Sequence, residues 1–129
     1  LSDVLQKQIY DAVELTKHNR KLTLCIAFSY GGRGEILDAC QKIIDSGKTN
    51  LTENEFKNYL YDSSMPDIDL LIRTGGVLRV SNFLLWQLAY AELYFLPKYW
   101  PDIEKQDILD AINDYATRER SFGERTRNQ

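Results

Sequence analysis

One histidine and two cysteines occur in 129 residues, and this scarcity narrows the chemistry first. His18 closes a helical stretch beside Asn19 and Arg20, with no second histidine and no Cys-x-x-Cys, which argues against a zinc site built by this chain. Cys25 lies in an apolar run and Cys40 in a helical pattern. Neither has a metal-ligand neighbour, so both are expected to be buried thiols in a reducing compartment. Long hydrophobic runs are also missing: the longest, Phe83 to Leu96, is interrupted by Gln87 and Glu92 and is too short to span a bilayer. No signal peptide opens the chain, and the expectation is a soluble, cytoplasmic protein. There is no excess of positive charge. The net charge is −3, which argues against a general nucleic-acid binder, since such proteins present a basic face. Arginines crowd the C-terminal tail at Arg118, Arg120, Arg125 and Arg127, after Asp102, Glu104, Asp107, Asp110 and Asp114. That asymmetry reads as a solvated helix end whose cations favour the helix dipole.

What is present suits one α/β domain over residues 1–129. Hydrophobic residues make up 43% and charged residues 27%, ordinary for a globular chain with a modest core. Apolar side chains at Leu1, Val4, Leu5, Ile9, Ala12, Val13 and Leu15 have helical spacing, in a helix that starts at the first residue with no cap. Leu22 to Phe28 is continuously apolar and predicts a strand covered on both faces. Tyr30-Gly31-Gly32-Arg33 leads into a helix with Ile36, Leu37, Ala39, Cys40, Ile43 and Ile44 inward, closed at Ser46-Gly47. Thr52-Glu53-Asn54-Glu55 is a capping box for a helix through about Tyr61. After a turn around Pro66, Asp69 to Arg73 predicts a second strand and then a Gly-Gly loop. Asn82 to Leu88 reads as a short helix, Glu92 to Phe95 as a third strand, and Asp102 as the cap of a last helix to about Arg120. This alternation predicts a parallel sheet flanked by helices.

In such sheets ligands bind beyond the carboxyl ends of the strands. Two predicted strands end in a Gly-Gly pair with arginine nearby: Gly31-Gly32-Arg33, and Arg73-Thr74-Gly75-Gly76. Right-handed crossovers would place both loops at one edge, and glycine lets the backbone turn sharply and bring N–H groups near a ligand. The second loop continues to Arg79 and to Ser81, read as the N-cap of the next helix. Two guanidinium groups, a hydroxyl and a helix N-terminus are a good receptor for a diphosphate. On composition alone, arginines paired with surface carboxylates and ordinary turn glycines explain the loop equally well. Trp86, Leu84, Leu85, Tyr90 and Tyr94 are read as core or dimer interface rather than the wall of an apolar ligand site. Glu92, a carboxylate inside an apolar run, invites a functional reason.

The string Arg73-Thr74-Gly75-Gly76-x-x-Arg79-Val80-Ser81-Asn82-Phe83-Leu84-Leu85-Trp86-Gln87-x-x-Tyr90-x-Glu92-x-x-Phe95, followed by Trp100-Pro101-Asp102, resembles the C-terminal signature of cis-prenyltransferases of the undecaprenyl diphosphate synthase type. Ile26-Ala27-Phe28-Ser29-Tyr30-Gly31-Gly32-Arg33-Gly34-Glu35-Ile36 resembles the preceding block of that family, which commonly has Asn at Ser29. Arg118-Glu119-Arg120-Ser121-Phe122-Gly123 resembles its arginine-rich closing element. The resemblance covers most of the chain from Leu22 to Gly123 and implies the C-terminal part of a cis-prenyltransferase domain.

By that resemblance, the parent enzyme is a magnesium-dependent transferase. It condenses isopentenyl diphosphate with an allylic, farnesyl-type diphosphate to form a long-chain polyprenyl diphosphate, with undecaprenyl diphosphate for cell-wall carrier lipid as the expected product. Arg73, Arg79, Val80 and Ser81 would hold isopentenyl diphosphate, and Glu92 would help position Mg2+. Gly31, Gly32, Arg33, Gly75, Gly76, Arg120 and Gly123 are further candidates. A homodimer is implied, and delivery of the product to the membrane would place the protein in the cytoplasm or at a membrane surface. The sequence departs from the family at Val77, usually acidic, and at Leu78, often polar or basic. The Asp-Gly-Asn-x-Arg-Trp motif of the N-terminal half, where the catalytic residues are expected, is absent, so this chain alone would be inactive. The rival reading is a non-catalytic partner subunit of a cis-prenyltransferase complex.

Overall fold

Residues 1–119, which the computed structural model describes, form four α-helices, a short 3-10 turn and two strands. In chain order these are α1 (Asp3–Thr16), α2 (Gly32–Asp45), α3 (Glu53–Lys57), β1 (Leu70–Arg73), β2 (Glu92–Phe95), the 3-10 turn Trp100–Asp102 and α4 (Lys105–Ala116). The strands pair in parallel, Leu70 with Glu92 and Arg73 with Phe95. The architecture is α/β, a parallel sheet flanked by helices. Both strands fall where apolar β-rich tetrapeptides predict them.

Several boundaries differ from the sequence reading for local reasons. The first helix does have a cap: the Ser2 hydroxyl accepts the Leu5 N–H at 3.4 Å. The Thr52 capping box is present, with the Glu55 carboxylate accepting the Thr52 N–H at 2.9 Å. Yet α3 stops at Lys57, because Asn58, Tyr59 and Leu60 bond three residues back and tighten the chain out of the α-form. The last helix begins at Lys105 rather than at Asp102, since Ile103 is extended. Its first turn is closed by the Asp107 carboxylate, which accepts the Glu104 N–H at 2.8 Å. No helix forms over Asn82 to Leu88. Ser81, Asn82 and Leu84 adopt positive φ of 50°, 64° and 42°, which breaks the right-handed ladder before it can propagate.

The predicted strand at Leu22 to Phe28 is absent. It has no ladder partner among the described residues, and Leu22, Leu24, Ile26 and Phe28 are between 62% and 81% exposed. An isolated apolar segment cannot satisfy its backbone without a neighbouring strand. Both cysteines are exposed rather than buried. Helical geometry explains Cys40: Gly32, Glu35 and Ala39 form the buried stripe of α2, whereas Leu37, Cys40 and Ile44 share a second stripe that faces outward.

The buried apolar residues among those described are Ala39, Leu60, Leu84, Leu96 and Ala111. Phe56 stacks at a tilt on Trp86 with ring centres 4.4 Å apart, and Tyr30 meets Tyr61 and Phe83 edge-on. At the centre lie two polar side chains, Glu35 and Gln87, each 2% exposed. The Glu35 carboxylate accepts from the Tyr30 hydroxyl, from the Tyr61 N–H at 3.0 Å, and from the Gln87 amide at 3.2 Å. This one side chain joins α2 to the segments after α3 and between the strands. Burial first, and then the bond to Glu35, push the Tyr30 phenol well above the usual tyrosine range.

Two expectations follow from this packing. A Cβ on Gly32 would stand 2.9 Å from the backbone nitrogen of Leu85, whereas one on Gly34 would meet nothing within 4 Å. Gly34→Ala should therefore stabilise the intact protein by about 0.5–1 kcal/mol, and Gly32→Ala should destabilise it by about 1–3 kcal/mol, as read by denaturant unfolding. Removing the buried acceptor by Glu35→Ala should cost about 3 kcal/mol, because three donors lose their partner. The raised phenol means that Tyr30 contributes stability below the ordinary phenol pKa of 10.0, lost as pH rises through the folded value. Alkaline titration of phenolate absorbance should find Tyr30 the last tyrosine to ionise, and Tyr30→Phe should remove that last step.

Candidate diphosphate site

Arg73 ends β1, at the carboxyl edge where a parallel sheet receives its ligand. Its side chain is partly buried, and its Nε–H is buried without a hydrogen-bond partner among the described residues. Such a donor costs stability unless something pairs with it. Beyond it the chain turns through Gly75 and Gly76, both in the left-handed region with φ of 87° and 69°, which only glycine adopts without strain. Their N–H groups do not face a ligand. Gly75 donates to the Lys98 carbonyl at 2.8 Å and Gly76 to the Leu96 carbonyl at 2.9 Å, so the loop is tied to the segment that leaves β2.

The other glycine pair is also committed to the chain itself. Gly32 N–H donates to the Asn82 carbonyl at 2.7 Å, and Arg33 N–H donates to the Asn82 side-chain oxygen at 2.9 Å. The first two amides of α2 are thus satisfied by Asn82, and Gly31 lies against its side chain. This brings Gly31, Gly32 and Arg33 to the segment carrying Arg79, Val80 and Ser81. Ser81 is not an N-cap, because no helix follows it, and the Val80 carbonyl accepts the Phe83 N–H at 3.1 Å. Arg79 is exposed and has no partner among the described residues. The amides of Gly32, Gly75 and Gly76 are therefore committed within the chain, and no helix N-terminus stands at Ser81.

Glu92 stands apart from them. It begins β2 in register with Leu70, three positions from the Arg73–Phe95 pair, which is about 10 Å along a strand. Its carboxylate pairs with Arg118 at 2.8 Å, and Arg118 also holds Asp114 at 2.6 Å and donates to the Leu93 carbonyl. Among the described residues no group of three or more His, Cys, Asp or Glu could hold a metal unaided. A single carboxylate still suits magnesium, which commonly takes one or two plus phosphate oxygens and water. Arg120 and Gly123 lie outside the described residues.

Three residues that matter to this geometry were not singled out by sequence. Asn82 had a signal, as the side chain that best tolerates left-handed backbone after glycine. Gln87 had one as well, a polar residue inside an apolar run that needs a buried partner, and Glu35 is that partner. Arg118 was read only as part of a basic tail; its pairing with Glu92 is a contact between distant segments that no spacing encodes.

The family model described as putative undecaprenyl diphosphate synthase matches residues 1–123. Isoprenyl transferase of Rickettsia bellii is 69% identical over 97% of this chain and 55% of its own length, and that of Fusobacterium nucleatum 55% identical over 92% and 51%. The chain thus spans about half the length of the curated relatives it matches. Among solved structures, a probable undecaprenyl diphosphate synthase from Campylobacter jejuni superposes with a TM-score of 0.82 at 37% identity, covering 96% of this chain and 58% of that one. Lavandulyl diphosphate synthase from Lavandula x intermedia, solved with dimethylallyl diphosphate, gives 0.88 at 38% identity, covering 96% and 56%. The sheet, the arginine-bearing loops and these matches agree: the chain belongs to the undecaprenyl diphosphate synthase family of prenyltransferases.

Proposed function

We propose that these residues are the C-terminal part of a cis-prenyltransferase that joins isopentenyl diphosphate to an allylic, farnesyl-type diphosphate, building undecaprenyl diphosphate. The observation that carries this reading is the buried Nε–H of Arg73 at the carboxyl edge of β1, without a partner among the described residues, on the same stretch of chain as the exposed Arg79. Isopentenyl diphosphate would pair with both guanidinium groups and with the Ser81 hydroxyl, a charge-assisted grip that fixes where its alkene stands. In the condensation the allylic C–O bond breaks, the terminal alkene carbon forms the new C–C bond, and a proton leaves the isopentenyl unit. The chain's contribution is to orient the attacking alkene. Glu92, with diphosphate oxygens, would hold Mg2+, whose bound charge offsets that of the departing diphosphate. The functional unit would be a homodimer that hands its product to a membrane; no helix among the described residues is long and apolar enough to cross one.

The test is elongation by the full-length protein, these residues joined to their N-terminal half, with labelled isopentenyl diphosphate, farnesyl diphosphate and magnesium. Polyprenyl diphosphate is the expected product; binding to a separate synthase without elongation would overturn the reading. Arg79→Ala should raise KM for isopentenyl diphosphate about 10- to 100-fold, the equivalent of one charge-assisted hydrogen bond of ~1.5–3 kcal/mol, and leave the allylic KM near its original value. Glu92→Gln should depress kcat more than either KM if its carboxylate serves the reaction through the metal; an unchanged kcat would remove Glu92 from the site.

A further inference from the structure

We propose that Asn82 is a positioning residue for the isopentenyl diphosphate site, acting by fastening the Arg79–Ser81 segment to the N-terminus of α2; the inference rests on the prenyltransferase reading above. α2 starts after Gly31, which has no side chain to cap it, so its first amides need acceptors from elsewhere. Asn82 supplies two of them, through its carbonyl to Gly32 and through its side-chain oxygen to Arg33, 49 positions away in sequence. Its amide nitrogen lies so close to Gly31 that a Cβ there would meet it at 2.8 Å. The glycine pair is therefore the socket into which this asparagine fits.

Beyond Asn82 the chain is held by Phe83 against Tyr30 and by the buried Leu84, whereas the stretch before it rests on the bonds of Asn82. Ser81, Asn82 and Leu84 have positive φ, no regular ladder runs through them, and Arg79 is exposed with no partner among the described residues. The Arg79 guanidinium is located by its backbone, and that backbone is located by the two bonds from α2 and by Leu85 packed on Gly32. Releasing the Asn82 side chain lets Arg79 and Ser81 sample other positions. The loss then falls on one substrate, since these two side chains are the proposed grip on isopentenyl diphosphate.

Asn82→Gly in the full-length enzyme isolates this effect, because glycine accepts the left-handed φ without strain while the side-chain oxygen is lost. The expected result is a rise of about tenfold in KM for isopentenyl diphosphate, the scale of one hydrogen bond, with kcat and the allylic KM within about twofold of wild type. If Asn82 acts through Arg79, the penalty shrinks when Asn82→Gly is placed on Arg79→Ala. An equal rise for both substrates, or strict additivity with Arg79→Ala, overturns the proposal. Should Asn82→Gly not fold, Asn82→Ala removes the same side-chain oxygen and should likewise raise KM for isopentenyl diphosphate selectively, and an unchanged KM overturns the proposal. A wild-type enzyme that elongates nothing defeats the prenyltransferase reading instead, whereas an active wild type with unaltered variants defeats only the role of Asn82.

Discussion

Burying a carboxylate costs several kcal/mol unless donors replace its water, and at Glu35 three donors do so: the Tyr30 hydroxyl, the Tyr61 N–H and the Gln87 amide. Few apolar side chains are fully buried around it, so the hydrophobic effect alone gives this region little means of choosing one arrangement. The carboxylate chooses it. Tyr30 precedes the glycine pair, Tyr61 follows α3, and Gln87 lies between the strands; each can reach Glu35 only when all three segments are in place. A half-satisfied network of this kind is worse than an apolar core, which makes assembly around Glu35 close to all-or-none. The high phenol pKa of Tyr30 has the same origin, an O–H held by burial and by a carboxylate acceptor.

The geometry of the candidate site inherits that constraint. With α2 fixed, Gly32 can approach Leu85 closely and the α2 amides can be met by Asn82. The amides of Gly32, Gly75 and Gly76 are spent within the chain for the same reason. One Gly-Gly pair makes room for a neighbouring side chain and backbone, and the other closes a turn against Leu96 and Lys98. Glycine at both places serves close approach inside the chain.

Much of this was legible in the sequence, and its limits have physical causes. β1 and β2 were visible because short β-rich apolar tetrapeptides flanked by turn residues have few other solutions. The Thr52 box and the close of α2 at Ser46-Gly47 were visible because caps are local chemistry. Leu22 to Phe28 was misread because continuous apolarity measures what a segment needs to cover it, not what lies beside it. Asn82 to Leu88 was misread because three non-glycine residues with positive φ are stabilised by tertiary bonds, to Gly32 and Arg33 above all, that propensity cannot anticipate. Residues in such conformations persist where the surroundings over-determine them, often beside functional groups.

Arg73, Arg79, Ser81 and Glu92 were chosen from one continuous string, yet the fold divides them. The guanidinium groups belong to the carboxyl edge of β1 and the loop after it, while Glu92 opens β2 and is engaged by Arg118, itself shared with Asp114. That ion pair is partly exposed, with 28% and 29% of the two side chains accessible, and solvent-screened pairs of this sort hold geometry more than they add stability. Arg118 therefore directs the Glu92 carboxylate without committing it. A divalent cation carrying phosphate oxygens presents a denser charge than a shared guanidinium, and Asp114 is at hand to keep Arg118 paired when Glu92 turns away. In the proposed magnesium site, Glu92 would thus be released at little cost by a partner that keeps a second carboxylate within reach.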